Sequence, residues 1–187
     1  MSTVLDKLCQ HSDQELIDAS IRNDSRAQRA LYERYVSKMY AVCLRYSGST
    51  DDAKDLLQEG FITAFSNMAS FSGAGSFEGW LRKIFVNTSL MKIRKRDLLK
   101  DSGEINDYCS ECRISENALN TLYGKDLVRL ISSMPVGFRT IFNLYVIEGY
   151  SHQEIAQMLG INEGTSRSQL NRAKAWLKER IEKLNMR

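Results

Sequence analysis

The chain has one proline and eleven glycines in 187 residues. These are the residues that break helices, so their scarcity leaves long helical runs intact and predicts an all-α protein. It lacks any apolar run near the roughly 20 residues that a membrane span needs. Its opening residues, MSTVLDKLCQHSDQE, are polar and of mixed charge. No signal peptide and no membrane contact of its own are therefore expected, and the chain is expected in the cytoplasm. In that reducing compartment Cys9, Cys43, Cys109 and Cys112 need not pair. Cys109 and Cys112 have metal-ligand spacing, but a structural zinc site takes four ligands and there is no second CxxC. Cys9 with His11 could complete a set only by folding onto them, so an inert pair and no metal are expected. No nucleophile with its base, no phosphate-binding glycine loop and no carboxylate metal site stand out, so neither a cofactor nor an enzymatic activity is expected.

What is present is an ordinary core-forming share of hydrophobic residues, 43%, which excludes disorder for the chain as a whole. The net charge of +3 hides an uneven distribution. Residues 1–96 carry 14 basic and 11 acidic side chains, residues 97–119 carry 2 and 6, and residues 120–187 carry 10 and 6. Two basic blocks thus flank an acidic spacer, which we read as a linker over 97–120.

Helical spacing runs from about 13 to 47, with Leu16, Ile17 and Ser20/Ile21 on one stripe and Ala30, Leu31, Tyr35, Met39, Val42 and Cys43 on another. Ser47–Asp52 is a break with Ser49 and Thr50 as cap candidates, and a helix follows over 53–68. A glycine-rich loop with aromatic edges, Phe71–Trp80, leads to a further helix over 78–96. Beyond the linker, 122–134 reads as a helix, Met134-Pro135 as a boundary and 136–148 as the next helix.

Ser151 with Glu154 is a capping-box pattern, predicting a helix from 152 whose buried face holds Ile155, Ala156 and Leu159. Gly160 suits the left-handed residue that ends it. Asn162 or Thr165 then caps a long helix with Leu170, Ala173, Leu177, Ile181 and Leu184 on one stripe and polar and basic residues on the others. This is the helix-turn-helix arrangement, in which the second helix offers its first turns to major-groove base edges. A plain helical hairpin with a solvated basic face fits the same residues. His152 is expected at the surface.

Two features of the first block weigh against the plain reading. Asp52, Asp55 and Glu59 recur at three and four residues, with Gln58 and Ile62 adjoining, giving an acidic stripe suited to a basic protein partner. Between Trp80 and Arg96 lie six basic residues and no acid, beside Phe71, Phe77, Trp80 and Phe85. Cations with aromatics are the chemistry that holds a separated nucleic-acid strand.

Together and in this order, "DDAKDLLQEGFITAF", "SFEGWLRKIFVNTSLMKIRKR" and "LISSMPVGFRTIFNLYVIEGYSHQEIAQMLGINEGTSRSQLNRAKAWL" resemble an extracytoplasmic-function sigma factor of bacteria. The resemblance implies two small helical domains joined by a flexible acidic linker. These would be a lead-in helix within 1–21, sigma region 2 over 22–96, the linker over 97–120 and sigma region 4 over 121–187. It implies that Asp52, Asp55, Gln58 and Glu59 bind core RNA polymerase. Phe71, Ser72, Gly73, Ser76, Trp80, Lys83, Asn87, Lys92, Arg94, Lys95 and Arg96 would meet the minus-ten element, including the melted non-template strand. Ser151, Thr165, Ser166, Arg167, Ser168, Asn171, Arg172 and Lys174 would meet the minus-thirty-five element as duplex DNA. It further implies an anti-sigma factor as partner. Ser166 stands where many members have valine, Gln169 where arginine is common, and Asn171 where an aromatic or histidine is common. These departures bear on the promoter sequence read, not on the fold. A conventional helix-turn-helix regulator working without polymerase is the competing reading. Such a protein needs neither the acidic stripe nor the aromatic-basic loop.

Overall fold

The computed structural model describes residues 11–100 and 122–185. Among the described residues there are helices and no strands. In chain order the helices are α1 (Asp13–Ile21), α2 (Ser25–Tyr46), α3 (Thr50–Ser66), a 3-10 turn (Met68–Ser70), α4 (Phe77–Lys100), α5 (Leu122–Ser132), α6 (Val136–Phe142), a π-helical turn (Asn143–Ile147), α7 (His152–Leu159) and α8 (Glu163–Asn185).

The predicted stretch 13–47 is two helices. Asn23 takes a left-handed φ of 62°, and the Asp24 carboxylate accepts from Arg26 N–H to begin α2 anew. The break lets α1 fold back on α2, where the Arg34 guanidinium donates to Asp13 at 2.5 Å. The Tyr35 hydroxyl donates to the other Asp13 oxygen. Burial and that carboxylate push the Tyr35 phenol well above its ordinary range.

The N-terminal half packs α2, α3 and α4 around Leu31, Met39, Val42, Leu56, Ala64, Leu81 and Phe85, all buried. Each of these leucine, methionine, valine and phenylalanine side chains contributes about 1.5–3 kcal/mol of burial. Glycine at 60 lets α3 and α4 touch: a Cβ there would lie 2.3 Å from the Phe85 ring. The C-terminal half packs α6, α7 and α8 around Ile141, Leu144, Ile155, Leu170 and Ala173.

Two boundaries differ from expectation. Helix α4 runs to Lys100, so residues 97–100 of the expected linker are helical. Residues 101–121, with Cys109 and Cys112, lie outside the described residues, as does Cys9. The helix expected over 136–148 widens after Phe142 into the π-turn, where Glu148 N–H donates to Asn143 O at 2.9 Å. That wider turn leaves Tyr145 and Val146 exposed.

Candidate functional site

The acidic stripe forms because Ser49 caps α3: its hydroxyl accepts from Asp52 N–H at 3.1 Å and fixes the helix phase. With that phase, Ala53, Leu56, Gly60, Phe61 and Ala64 face inward. Asp55, Gln58 and Glu59 then face solvent, and Asp52 is half-buried. Ile62 continues the stripe at 65% exposure, a large apolar group left in water beside carboxylates. Met91 of α4, 70% exposed, is a second such group that sequence reasoning missed. Its neighbour Lys92 was expected on the DNA strand, yet its ammonium stands 3.5 Å from Asp55.

The expected minus-ten surface is built at the mouth of α4. Gly73 and Gly75 adopt φ of 75° and 97°, a conformation that side-chain-bearing residues rarely take, and the loop turns there. Ser76 Oγ accepts from Gly79 N–H and starts the helix. Phe71, Phe77 and Trp80 pack on one another, with centroids 5.4–5.6 Å apart. Phe77 is buried, whereas Phe71 and Trp80 are half-buried and keep part of their surface at the rim. Ser72, Gly73 and Ser76 are exposed beside them. Lys83 and Asn87, one helical turn apart, are exposed, as are Arg94 and Lys95. The Arg96 side chain lies outside the described residues.

The helix-turn-helix forms as its caps predict. Ser151 and Glu154 make the reciprocal capping box that begins α7, and Gly160 ends it at φ 68°. Asn162 Oδ1 accepts from Thr165 N–H at 2.7 Å and from the Thr165 hydroxyl at 3.0 Å, and α8 begins at Glu163. The hydroxyls of Ser151 and Thr165 are thus engaged in capping. Ser166 is a correction to the expected DNA-facing set. It is fully buried, its Oγ lying 2.9 Å from His152 Nδ1. His152, expected at the surface, is half-buried and stacks on Tyr145 with centroids 4.4 Å apart. That bond and that stack tie α7 to α8 and to the π-turn. Arg167, Ser168, Asn171, Arg172 and Lys174 are exposed along α8, and Arg167 pairs with Glu163 at 2.8 Å.

The two halves meet along the C-terminal end of α2. Ser132 Oγ donates to Leu44 O at 2.8 Å, and Asn143 Nδ2 donates to Arg45 O at 2.7 Å. Glu148, from the turn before α7, accepts from Arg45 at 3.0 Å and lies 3.8 Å from Arg82 of α4. Arg82 also pairs with Glu78, and Glu78 with Lys38. The Lys38 ammonium, the nearer partner, holds the Glu78 carboxyl below the usual carboxylate range. Sequence reasoning missed this ladder.

Among the described residues no three or more His, Cys, Asp or Glu side chains cluster to hold a metal. No helix among them is long and apolar enough to cross a membrane.

Residues 31–99 match the family model of sigma-70 region 2, and residues 124–177 that of sigma-70 region 4. The chain is 30% identical over 186 residues to the ECF RNA polymerase sigma-E factor of Haemophilus influenzae, covering 94% of this chain and 98% of that one. It is 32% identical over 157 residues to the ECF RNA polymerase sigma factor SigE of Mycolicibacterium smegmatis, covering 82% and 61% respectively. In fold it is similar to the sigma factor RpoE of Bartonella quintana, solved in complex with the anti-sigma factor NepR. The TM-score is 0.51 at 22% identity, over 82% of this chain and 96% of that chain.

Proposed function

Given that the chain belongs to the extracytoplasmic-function sigma factors, bacterial initiation factors that bind core RNA polymerase and direct it to promoters, we propose how its surfaces divide that work. Residues 22–96 act as region 2, residues 121–187 as region 4, and 97–120 as their connection. The observation that carries the assignment is that one chain presents two unlike polar surfaces on rigid helices. Asp55, Gln58 and Glu59 stand exposed on α3, and Arg167, Ser168, Asn171, Arg172 and Lys174 stand exposed on α8.

The α3 stripe, with Asp52 at its edge and Ile62 at its end, docks on a basic face of core polymerase. Rim charges of this kind steer encounter and orientation, while the apolar group supplies desolvated contact. Ser72, Gly73 and Ser76, with the exposed parts of Phe71 and Trp80, take a flipped base of the non-template strand. Lys83, Asn87, Arg94 and Lys95 lie along its backbone. Flipping costs a few kcal/mol of unstacking, which pocket contacts offset. In α8, Asn171 and Arg172 read base edges of the upstream element, and Arg167, Ser168 and Lys174 hold phosphates. With both readers on polymerase, the second contact becomes intramolecular, and two weak readers act as a strong one.

The chain works without catalysis of its own and acts in the cytoplasm. Like its structural relative from Bartonella, it takes an anti-sigma factor, which covers the polymerase-facing stripe.

The test is transcription by core polymerase with this chain added, on genomic fragments of the source bacterium, with the 5′ ends sequenced. The expected result is new starts sharing two upstream elements at fixed spacing. Absence of starts, together with tight duplex binding in the absence of polymerase, would establish the conventional regulator instead.

A further inference from the structure

We propose that the free chain is held closed by an internal latch, Glu148 between Arg45 and Arg82, which lays the turn at 148–154 against the face of α4 that carries Lys83. Glu148 comes from the C-terminal half, and its side chain is 4% exposed between the two arginines of the N-terminal half. Arg45 is itself 12% exposed, so the contact is shielded from solvent and from screening salt. A carboxylate buried in this way is tolerable because two cations face it. The same seam is closed by the bonds from Ser132 to Leu44 O and from Asn143 to Arg45 O. These join the halves through main-chain groups at the end of α2.

The latch places acid where region 2 would meet nucleic acid. Gly79, Arg82, Lys83 and Val86 of α4 line one open cleft together with Glu148, Gly149, Tyr150 and Glu154 of the C-terminal half. Two carboxylates of the C-terminal half thus share a cleft with Arg82 and Lys83, in the position of a phosphate backbone. Closed, the chain sets these carboxylates beside the exposed Lys83, where their charge repels the phosphates of an incoming strand.

The seam is also built to part. Tyr46 OH, Ser47 Oγ, Asn143 Oδ1 and Arg45 Nε are buried with no hydrogen-bond partner among the described residues. Buried polar atoms left unpaired are costly, and a permanent interface pairs them. Here the charged contact holds shut a seam whose neutral groups gain by reopening to water. A partner that binds only the open form, such as polymerase, shifts the population by its differential affinity.

The latch itself stands apart from the functional assignment; the masking of Lys83 rests on the minus-ten reading above. Small-angle scattering of the full-length protein tests the first. A compact body of this length has a radius of gyration of about 16 Å. The wild type should lie near that value. Glu148→Arg and Arg45→Glu should each expand to roughly 20–25 Å, as for two bodies parted by a linker. The double variant Arg45→Glu/Glu148→Arg restores opposite charges between positions 45 and 148 but opposes Arg82, so it should recompact in part, to a radius below that of either single variant. Helicity by circular dichroism shows that each variant is folded, and Arg45→Glu carries the test should Glu148→Arg fail to fold. A wild type already expanded, or single variants as compact as wild type, overturns the latch.

Binding of a fluorescent single-stranded oligonucleotide in the absence of polymerase tests the second. Both single variants should bind about tenfold more tightly, although one adds positive charge and the other negative. That opposition separates opening from non-specific attraction. Expansion with unchanged oligonucleotide binding overturns the masking. If Lys83→Glu then also leaves transcription by the polymerase complex unchanged, the minus-ten assignment falls as well.

Discussion

The Lys92 ammonium lies 3.5 Å from the Asp55 carboxylate, joining α4 to the acidic stripe of α3. Asp55 is 67% exposed and Lys92 only 21%, so the pair sits at the rim of the surface proposed to meet polymerase. An exposed pair of this kind contributes under about 1 kcal/mol to stability. Its main effect is to orient a carboxylate.

Reversing Asp55 and Glu59 to lysine should therefore abolish co-elution with core polymerase while leaving the thermal midpoint within a few degrees of wild type. Gel filtration with core enzyme and a melting curve on the same sample check both halves. A variant that still co-elutes removes the α3 assignment.

Arg172→Ala should lose about 1–3 kcal/mol of discrimination at one upstream base pair. Ser166→Ala should behave in the opposite way. It deletes the buried bond to His152 and should lower stability by about 0.5–1.5 kcal/mol with base preference unchanged. Transcription from a panel of single-base promoter variants, beside denaturant melts, separates a reading residue from a supporting one.

Gly60→Ala presents two effects of opposite sign. Helix propensity alone would stabilise by up to about 1 kcal/mol. The new Cβ, however, would stand 2.3 Å from the Phe85 ring, which is fully buried and has no room to retreat. Overpacking costs about 1–3 kcal/mol, so the net change should be destabilising. Urea unfolding of the variant gives the sign directly.

The capping boxes set an acid limit. Glu15 accepts from Ser12 N–H and then its hydroxyl, and Glu154 likewise from Ser151, which holds both carboxyls below their ordinary value of 4.5. A carboxylate depressed in the folded state contributes stability that is full above its unfolded pKa. That contribution is lost as pH falls through the lower, folded value. Stability at these helix starts should be flat down to about pH 5 and decline below the ordinary carboxylate pKa. Glu154→Gln should flatten the part of that decline due to α7. Hydrogen exchange of α7 amides across pH 3–6, corrected for intrinsic rates, reads it.

Local rules made much of this fold legible. Ser49, Ser151 with Glu154, Gly160 and Asn162 act within four residues of the ends they set, and each stands where its chemistry predicts. The stripe on α3 follows from the same short-range phase. What escaped were relations between distant residues or departures from 3.6-residue periodicity. Arg45 and Glu148 are 103 residues apart and share no pattern. The π-turn at Asn143–Ile147 shifts the phase after Phe142, and so puts Tyr145 under the His152 ring. Ser166 was assigned to DNA by its place in a motif, but in three dimensions it lies beneath the N-terminal turn of α7. The break at Asn23 falls beside the boundary expected after residue 21, although helical stripes run on both sides of it.

The chain's two tryptophans fall one to each half. Trp80 lies against Phe71 and Phe77 at the mouth of α4, and Trp176 lies beneath the Arg180 guanidinium on α8. Each half therefore carries its own native fluorophore, in a distinct environment and without any label. Replacing either by phenylalanine leaves a single emitter reporting on one half. Agreement between the two melting transitions measures how strongly the halves unfold together, and divergence on adding polymerase or DNA tells which half engages first.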